Sequence, residues 1–134
     1  MTMATVKTGP HTLGKAFAHL LDDSGIMAVP VDDEFWTKGV AELPPGRLVS
    51  VFDNEADWTS WEMHPNGDEL ILVLSGRLVL ILETANTRWN EMVQAGQFFI
   101  VPKGVWHTAD VPEPGRALFV TPGEGTEHRE RSIG

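Results

Sequence analysis

Residues 62–83 read EMHPNGDELILVLSGRLVLILE, and this stretch decides the fold. Two unbroken apolar runs, residues 70–74 and 78–82, stand on either side of the turn residues Ser75 and Gly76. Because neighbouring side chains of a strand point to opposite faces, both faces of each run are apolar. A sheet with one face in water would alternate polar and apolar residues. The stretch therefore predicts two strands paired as a hairpin and covered on both sides.

The chain outside this hairpin repeats the same kind of pattern. From residue 28 onward, short runs rich in Val, Ile, Phe and Trp are separated by turn residues roughly every 8–12 positions, which is typical of an antiparallel sandwich or barrel. We predict ten strands, at residues 28–31, 35–43, 48–52, 57–64, 69–74, 77–83, 88–94, 97–101, 106–110 and 117–121.

The two ends of the chain differ from this pattern. Residues 12–23 carry apolar side chains at helical spacing, which predicts a short amphipathic helix with Thr12 as its N-cap. Residues 123–134 are rich in glycine and charge. We therefore predict one domain over residues 1–134, with an N-terminal arm and helix (1–27), an all-β barrel (28–122) and a flexible tail (123–134).

Composition narrows the classes of function. The chain has 134 residues, a formal net charge of -9 and no cysteine. The negative field disfavours nucleic acid and anionic membrane surfaces as partners, and the absence of cysteine excludes disulfides and thiolate metal sites. The longest apolar run is far shorter than the ~20 residues of a membrane span, and residues 1–10 lack a hydrophobic signal segment. These features predict a cytoplasmic protein without nucleic-acid or membrane partners.

A candidate site lies around the first half of the hairpin. In the strand predicted at residues 57–64, alternation places Trp58, Ser60, Glu62 and His64 on one face. Glu69 opens the next strand and shares a face with inward apolar residues. A buried carboxylate needs a cation or a hydrogen-bond donor, so we expect Glu69 to lie beside His64.

The spacing of these residues resembles the cupin superfamily. Its first motif, G(X)5HXH(X)3-4E(X)6G, corresponds to Glu62-Met63-His64, four residues, Glu69, six residues and Gly76. The second motif, G(X)5PXG(X)2H(X)3N, is matched at every interval by Gly96, Pro102, Gly104 and His107. The sequence departs from the motifs at Ala56 and Val111, and Glu62 replaces the first histidine.

The resemblance implies a double-stranded β-helix, or jelly-roll barrel, with one divalent metal ion. Carried over residue by residue, the ligands are Glu62, His64, Glu69 and His107. Two imidazoles with one or two carboxylates suit Fe, Mn, Ni, Co or Zn, and spacing does not choose among them. For Glu62, two roles stay open: a metal ligand, or a carboxylate that only accepts hydrogen bonds.

The resemblance also implies chemistry on a small oxygen-bearing metabolite, of dioxygenase, isomerase or decarboxylase type. Glu62 and Glu69 are the candidate catalytic proton carriers, and Trp58 and Ser60 the candidate substrate-pocket residues. The alternative is a non-catalytic barrel that binds a sugar or metabolite, with a structural metal or none. A transcription regulator is disfavoured because no helix-turn-helix segment is present and the charge is negative.

The hairpin, which is apolar on both faces, also predicts a homodimer. If Glu69 faces the cavity, the inward set is Ile71, Val73, Leu78, Leu80 and Leu82. The outward set is then Leu70, Leu72, Leu74, Val79 and Ile81. Such a patch exceeds what soluble monomers usually expose, so a second subunit is the favoured cover, with the helix at residues 12–23 as the alternative.

Overall fold

A computed structural model describes residues 8–132 and shows an almost entirely β protein. Its strands are β1 (Ala16–Leu21), β2 (Ile26–Pro30), β3 (Gly46–Asn54), β4 (Ser60–Met63), β5 (Glu69–Val73), β6 (Arg77–Glu83), β7 (Arg88–Gln94), β8 (Phe98–Val101), β9 (Trp106–Glu113), β10 (Gly115–Thr121) and β11 (Glu127–Glu130). A short 3-10 helix, Gly39–Glu42, precedes β3.

The strands form two antiparallel sheets that face each other as a jelly roll. One sheet has the order β2-β1-β3-β10-β5-β8, and the other has the order β11-β4-β9-β6-β7. The all-β jelly-roll prediction is confirmed. No helix in the described part of the chain is long and apolar enough to cross a bilayer.

The core between the sheets is filled by the inward residues of the central strands. Ile71, Val73, Leu78, Leu80 and Leu82 are each at most 2% exposed, as their alternation predicts. Ala109, Ala117 and Phe119 complete the same cluster from the neighbouring strands. This packing positions β5 and β9 against each other, and these two strands carry site residues.

The helix predicted at residues 12–23 is wrong, because this segment contains β1. Phe17 and His19 point inward and are buried, while Ala18 pairs with Ala28 of β2 and Val49 of β3. The apolar spacing fits a helix locally, but two neighbouring strands satisfy the backbone of β1 on both sides. The prediction of a strand over residues 35–43 is also wrong, since this segment forms turns and the 3-10 helix.

The expected hairpin at Ser75-Gly76 is not present. β5 pairs with β8 and β10, whereas β6 pairs with β7 and β9, so the turn carries the chain from one sheet to the other. Gly76 has φ +73°, and a Cβ at this position would lie 2.5 Å from the carbonyl oxygens of Glu113 and Pro114. Glycine is required here by positive φ and by close backbone approach together.

The C-terminal segment is more ordered than the predicted flexible tail. Residues 127–130 form β11, which pairs with β4 so that Arg129 lies opposite Trp61. The Arg129 guanidinium stacks 4.7 Å from the Trp61 ring centre and 4.8 Å from that of Trp106. It also forms an ion pair with Glu83 of β6. These contacts on the outer face fix β11 against the five-stranded sheet.

Candidate metal centre

Four side chains from three parts of the fold meet between the sheets. Glu62 lies in β4, His64 just after it, Glu69 opens β5, and His107 lies in β9 opposite Glu62. His64, Glu69 and His107 are at most 4% exposed, while the Glu62 side chain is 35% exposed. The structure thus brings all four predicted ligands together, with Glu62 nearest to solvent.

The donor atoms of these residues lie close enough together to converge on a single ion. One donor from each residue lies within 4.8 Å of all the others. His107 Nε2 is 2.9 Å from Glu69 Oε1, His64 Nε2 is 3.4 Å from Glu69 Oε2, and His64 Nε2 is 3.7 Å from Glu62 Oε2. Ligands held ~2.1 Å from a common ion lie about 3.0–3.4 Å apart, so small adjustments bring these atoms into a first coordination shell.

His64 has a ring nitrogen that its protein surroundings do not satisfy. Its Nδ1 is 2.8 Å from the Thr126 hydroxyl, whereas the buried Nε2 has no hydrogen-bond partner. When Nδ1 donates to that hydroxyl, the Nε2 lone pair is available to an ion held between His64 and the carboxylates. A buried polar atom without a partner is costly unless something else occupies the position. A metal ion fits this requirement.

His107 is held between two acceptors. Nδ1 lies 3.2 Å from the Val105 carbonyl oxygen and Nε2 lies 2.9 Å from Glu69 Oε1. A carbonyl only accepts, so a protonated Nδ1 can donate to it, and the Glu69 carboxylate favours a proton on Nε2 when no ion is bound. Burial alone would lower the pKa of His107, but the hydrogen bond and charge of Glu69 outweigh burial and raise it.

Glu69 is the anion around which the cluster is built. Burial alone would raise the pKa of Glu69, but the hydrogen bond from His107 and the proximity of His64 lower it to about 2. Its Oε2 also accepts a 2.6 Å hydrogen bond from the Thr121 hydroxyl of β10. Glu69 is therefore ionised at neutral pH and oriented by partners on three sides, as a metal-binding carboxylate must be.

Three residues around the cluster were not predicted from the sequence. Thr121 orients Glu69, Thr126 orients His64, and His128 of β11 places Nε2 3.8 Å from Glu62 Oε1. The inward position of Thr121 could have been predicted, because Thr121 continues the inward alternation of Ala117 and Phe119. No sequence pattern indicates the positions of Thr126 and His128, since both fall in the segment predicted to be a loose tail.

A cavity of about 890 Å³ opens onto the cluster, and residues 43–46 are part of its lining. Trp58, one of the two predicted pocket residues, lines it together with Glu62, His64 and Glu69. Ser60 is not among the residues that line it, and its carbonyl oxygen accepts a hydrogen bond from the Thr108 hydroxyl. The cavity is large enough to give a small molecule access to these side chains.

Comparison with known proteins identifies the family. The cupin domain profile Cupin_2 matches residues 39–121. The chain is 26% identical to oxalate oxidase 1 from Hordeum vulgare over 100 residues, 68% of this chain and 50% of that protein. It is 31% identical to germin-like protein 3-5 from Oryza sativa over 77 residues, 51% of this chain and 34% of that one.

Structural similarity agrees with the profile. A cupin-2 domain protein from Shewanella frigidimarina superimposes with a TM-score of 0.50 and 25% identity, over 62% of this chain and 76% of that one. The chain spans about half or less of the length of the curated relatives it matches. Since the profile match covers more than half of the sequence, the chain belongs to the cupin family.

Proposed function

We propose that this cupin binds one divalent ion through His64, Glu69 and His107, and that it is an enzyme acting on a small oxygen-bearing metabolite. The observation that carries the proposal is His64 Nε2, a buried nitrogen without a partner that faces two carboxylates. Fe, Mn, Ni, Co and Zn all suit this mixture of imidazole and carboxylate. When bound, the ion would polarise a substrate oxygen or bring O₂ beside the substrate.

Glu62 has the geometry of a proton carrier as well as of a fourth ligand. Its side chain reaches the cavity, 3.7 Å from His64 Nε2 on one side and 3.8 Å from His128 Nε2 on the other. A carboxylate that is partly exposed can exchange protons with solvent and still contact a substrate near the ion. Glu69 is less suited to this role, because Thr121 and His107 already engage both of its oxygens.

Metal titration tests the binding half of the proposal. Chelator-treated protein should bind one equivalent of Mn(II), Ni(II) or Zn(II) in calorimetry, and His64→Ala should weaken binding by more than about 10-fold. His11→Ala is the control, because His11 is exposed and outside the cluster. Equal affinity of wild type and His64→Ala, with both folded by circular dichroism, would refute the metal site.

Turnover tests the catalytic half. The metal-loaded protein should consume O₂, or isomerise or decarboxylate a candidate enol or acid, and Glu62→Gln should lower the rate while the ion stays bound. Ligand binding without turnover in any of these assays would instead identify a non-catalytic binding barrel.

We further propose that the protein is a homodimer that buries the outer face of the six-stranded sheet. Leu70 and Leu72 of β5 lie on this face beside Phe98 and Ile100 of β8, which are 61% and 52% exposed. The helix at residues 12–23, the alternative cover, is instead β1 within this sheet. Val79 and Ile81, predicted to belong to the same patch, lie on β6 in the other sheet, so that part of the prediction is wrong.

A further inference from the structure

Part of the wall of the cavity is aromatic. Trp36, Phe52, Phe119 and Trp58 form a chain of ring contacts, with centroid separations of 5.4, 5.7 and 5.9 Å. All four rings line the cavity. We refer to these four residues as the aromatic wall.

Two rings of the aromatic wall stay half exposed, although Trp36 contacts the core residues Phe17 and Phe35 on one side. Trp36 is 48% exposed and Phe52 is 41% exposed, although both rings face the cavity. Large aromatic side chains are normally buried by folding, and exposed ones that line a pocket are typical of ligand contact. Trp58 is held in one orientation, since its Nε1 donates a 3.0 Å hydrogen bond to Asn54 Oδ1. The wall therefore presents preoriented ring surfaces to whatever enters.

The charges around the cavity restrict what can enter. Among residues 8–132, its lining includes the acids Asp53, Glu62, Glu69 and Glu124 and no lysine or arginine. Asp53 is paired with Arg116, but the other three acids have no lysine or arginine partner within the described part of the chain. In the cluster, the charges of Glu62 and Glu69 would balance those of a divalent ion. A small dianion would therefore find neither a cationic side chain nor excess positive charge.

We infer that the cavity selects a planar aromatic molecule that carries a hydroxyl or carbonyl oxygen, and that it discriminates against small dicarboxylates. The oxygen would reach the ion while the ring stacks against the aromatic wall. This inference rests on the proposed metal site for the oxygen contact. It rests on the aromatic wall and the acidic lining for the selection. A volume of about 890 Å³ accommodates one or two fused rings.

Catechol and oxalate are a matched pair of probes for this selection. Both can chelate a divalent ion through two oxygens, but only catechol has a ring. Only oxalate is a dianion in solution at neutral pH, whereas catechol is neutral there and releases hydroxyl protons to the buffer when it chelates. In calorimetry with Mn(II)-loaded protein, we expect catechol to bind at least 10-fold more tightly than oxalate. Phe52→Leu should weaken catechol binding by about 3- to 10-fold and leave oxalate unchanged, the range expected from losing one aromatic contact.

The control is Phe98→Leu, which removes an aromatic side chain that is 61% exposed on the outer face of β8. Phe98→Leu should change neither the affinity for catechol nor the affinity for oxalate. Tighter binding of oxalate than of catechol, or equal effects of Phe52→Leu and Phe98→Leu, would overturn the inference while leaving the metal site intact.

Binding of 2-naphthol to chelator-treated protein separates this inference from the proposed function. The ring alone should still bind, quench the fluorescence of Trp36 and Trp58, and bind about 3- to 10-fold more weakly to Phe52→Leu. If the protein binds no ion but shows this behaviour, the aromatic selection stands and the metal site fails. If 2-naphthol binding does not depend on Phe52, the aromatic selection fails.

Discussion

Replacing Glu69 with glutamine should change how the stability of the metal-free protein depends on pH. Glu69 is 3% exposed and contacts His107, and its pKa is lowered from 4.5 to about 2. A group with a lowered pKa stabilises the fold above its unfolded value, and this stabilisation is lost as pH falls through the folded value. The contribution of Glu69 is thus complete above pH 4.5 and disappears toward pH 2.

The magnitude follows from the size of the shift. One pKa unit corresponds to about 1.4 kcal/mol, so the ionised form of Glu69 adds on the order of 3 kcal/mol to the free energy of unfolding. Between pH 4.5 and pH 2 this contribution should fall by about 1.4 kcal/mol per pH unit. Because the carboxylate is buried, solvent screening does not reduce it as it would a surface pair.

His107 sets the upper pH limit of the stabilisation that the His107–Glu69 pair provides. Its pKa is raised from 6.5, so its contribution is complete below pH 6.5 and is lost as pH rises through the raised value. Since the two shifts describe one ion pair, the stability difference between wild type and Glu69→Gln should be largest between pH 4.5 and 6.5. It should shrink on both sides of that window.

Urea unfolding in the presence of chelator, from pH 3.5 to 9, measures this difference. Glu91→Gln, an exposed substitution on β7, controls for the loss of one negative charge and should give a nearly constant difference. A wild-type minus Glu69→Gln difference that stays flat across the range, or grows as pH falls below 4.5, would refute the reasoning.

Three further predictions concern the site, β11 and the outer face. Glu62→His should increase affinity for Zn(II) and Ni(II) relative to Mn(II), because imidazole suits these ions better; calorimetry showing no change in the series would place Glu62 outside the coordination shell. Arg129→Ala should lower the free energy of unfolding by about 1–2 kcal/mol and speed amide exchange of β11, whereas unchanged exchange would mean that its two ring contacts do not anchor the strand. Leu72→Asp should dissociate the dimer in light scattering while Val79→Asp, on the other sheet, should not; a wild-type mass near 14.8 kDa would contradict the dimer.

Sequence spacing was sufficient for the parts of the fold that are locally determined. The predicted bounds of β6 and β7, residues 77–83 and 88–94, agree with the structure, because turn residues bracket each apolar or alternating run. The cluster of Glu62, His64, Glu69 and His107 was also predictable. The motif intervals fix which strand each residue occupies, and alternation fixes which face it points to.

Features that depend on long-range pairing were not predictable from local pattern. The segment of β1 has helical apolar spacing, and it is a strand because β2 and β3 lie on either side of it. Ser75-Gly76 has the composition of a hairpin turn, but the residues after Gly76 pair with β9 and not with β5. In both cases the deciding interaction comes from a strand distant in sequence, which overrides local propensity.

The C-terminal segment shows how such a distant pairing affects the candidate chemistry. Alternation along β11 places Arg129 outward between Trp61 and Trp106, and His128 inward beside Glu62. The preceding turn brings the Thr126 hydroxyl to His64 Nδ1. An anchor on the outer face thereby fixes the register that presents these polar groups to the cavity. Residues 126–129 are a structural requirement for the orientation of His64, although their composition alone predicts a loose tail.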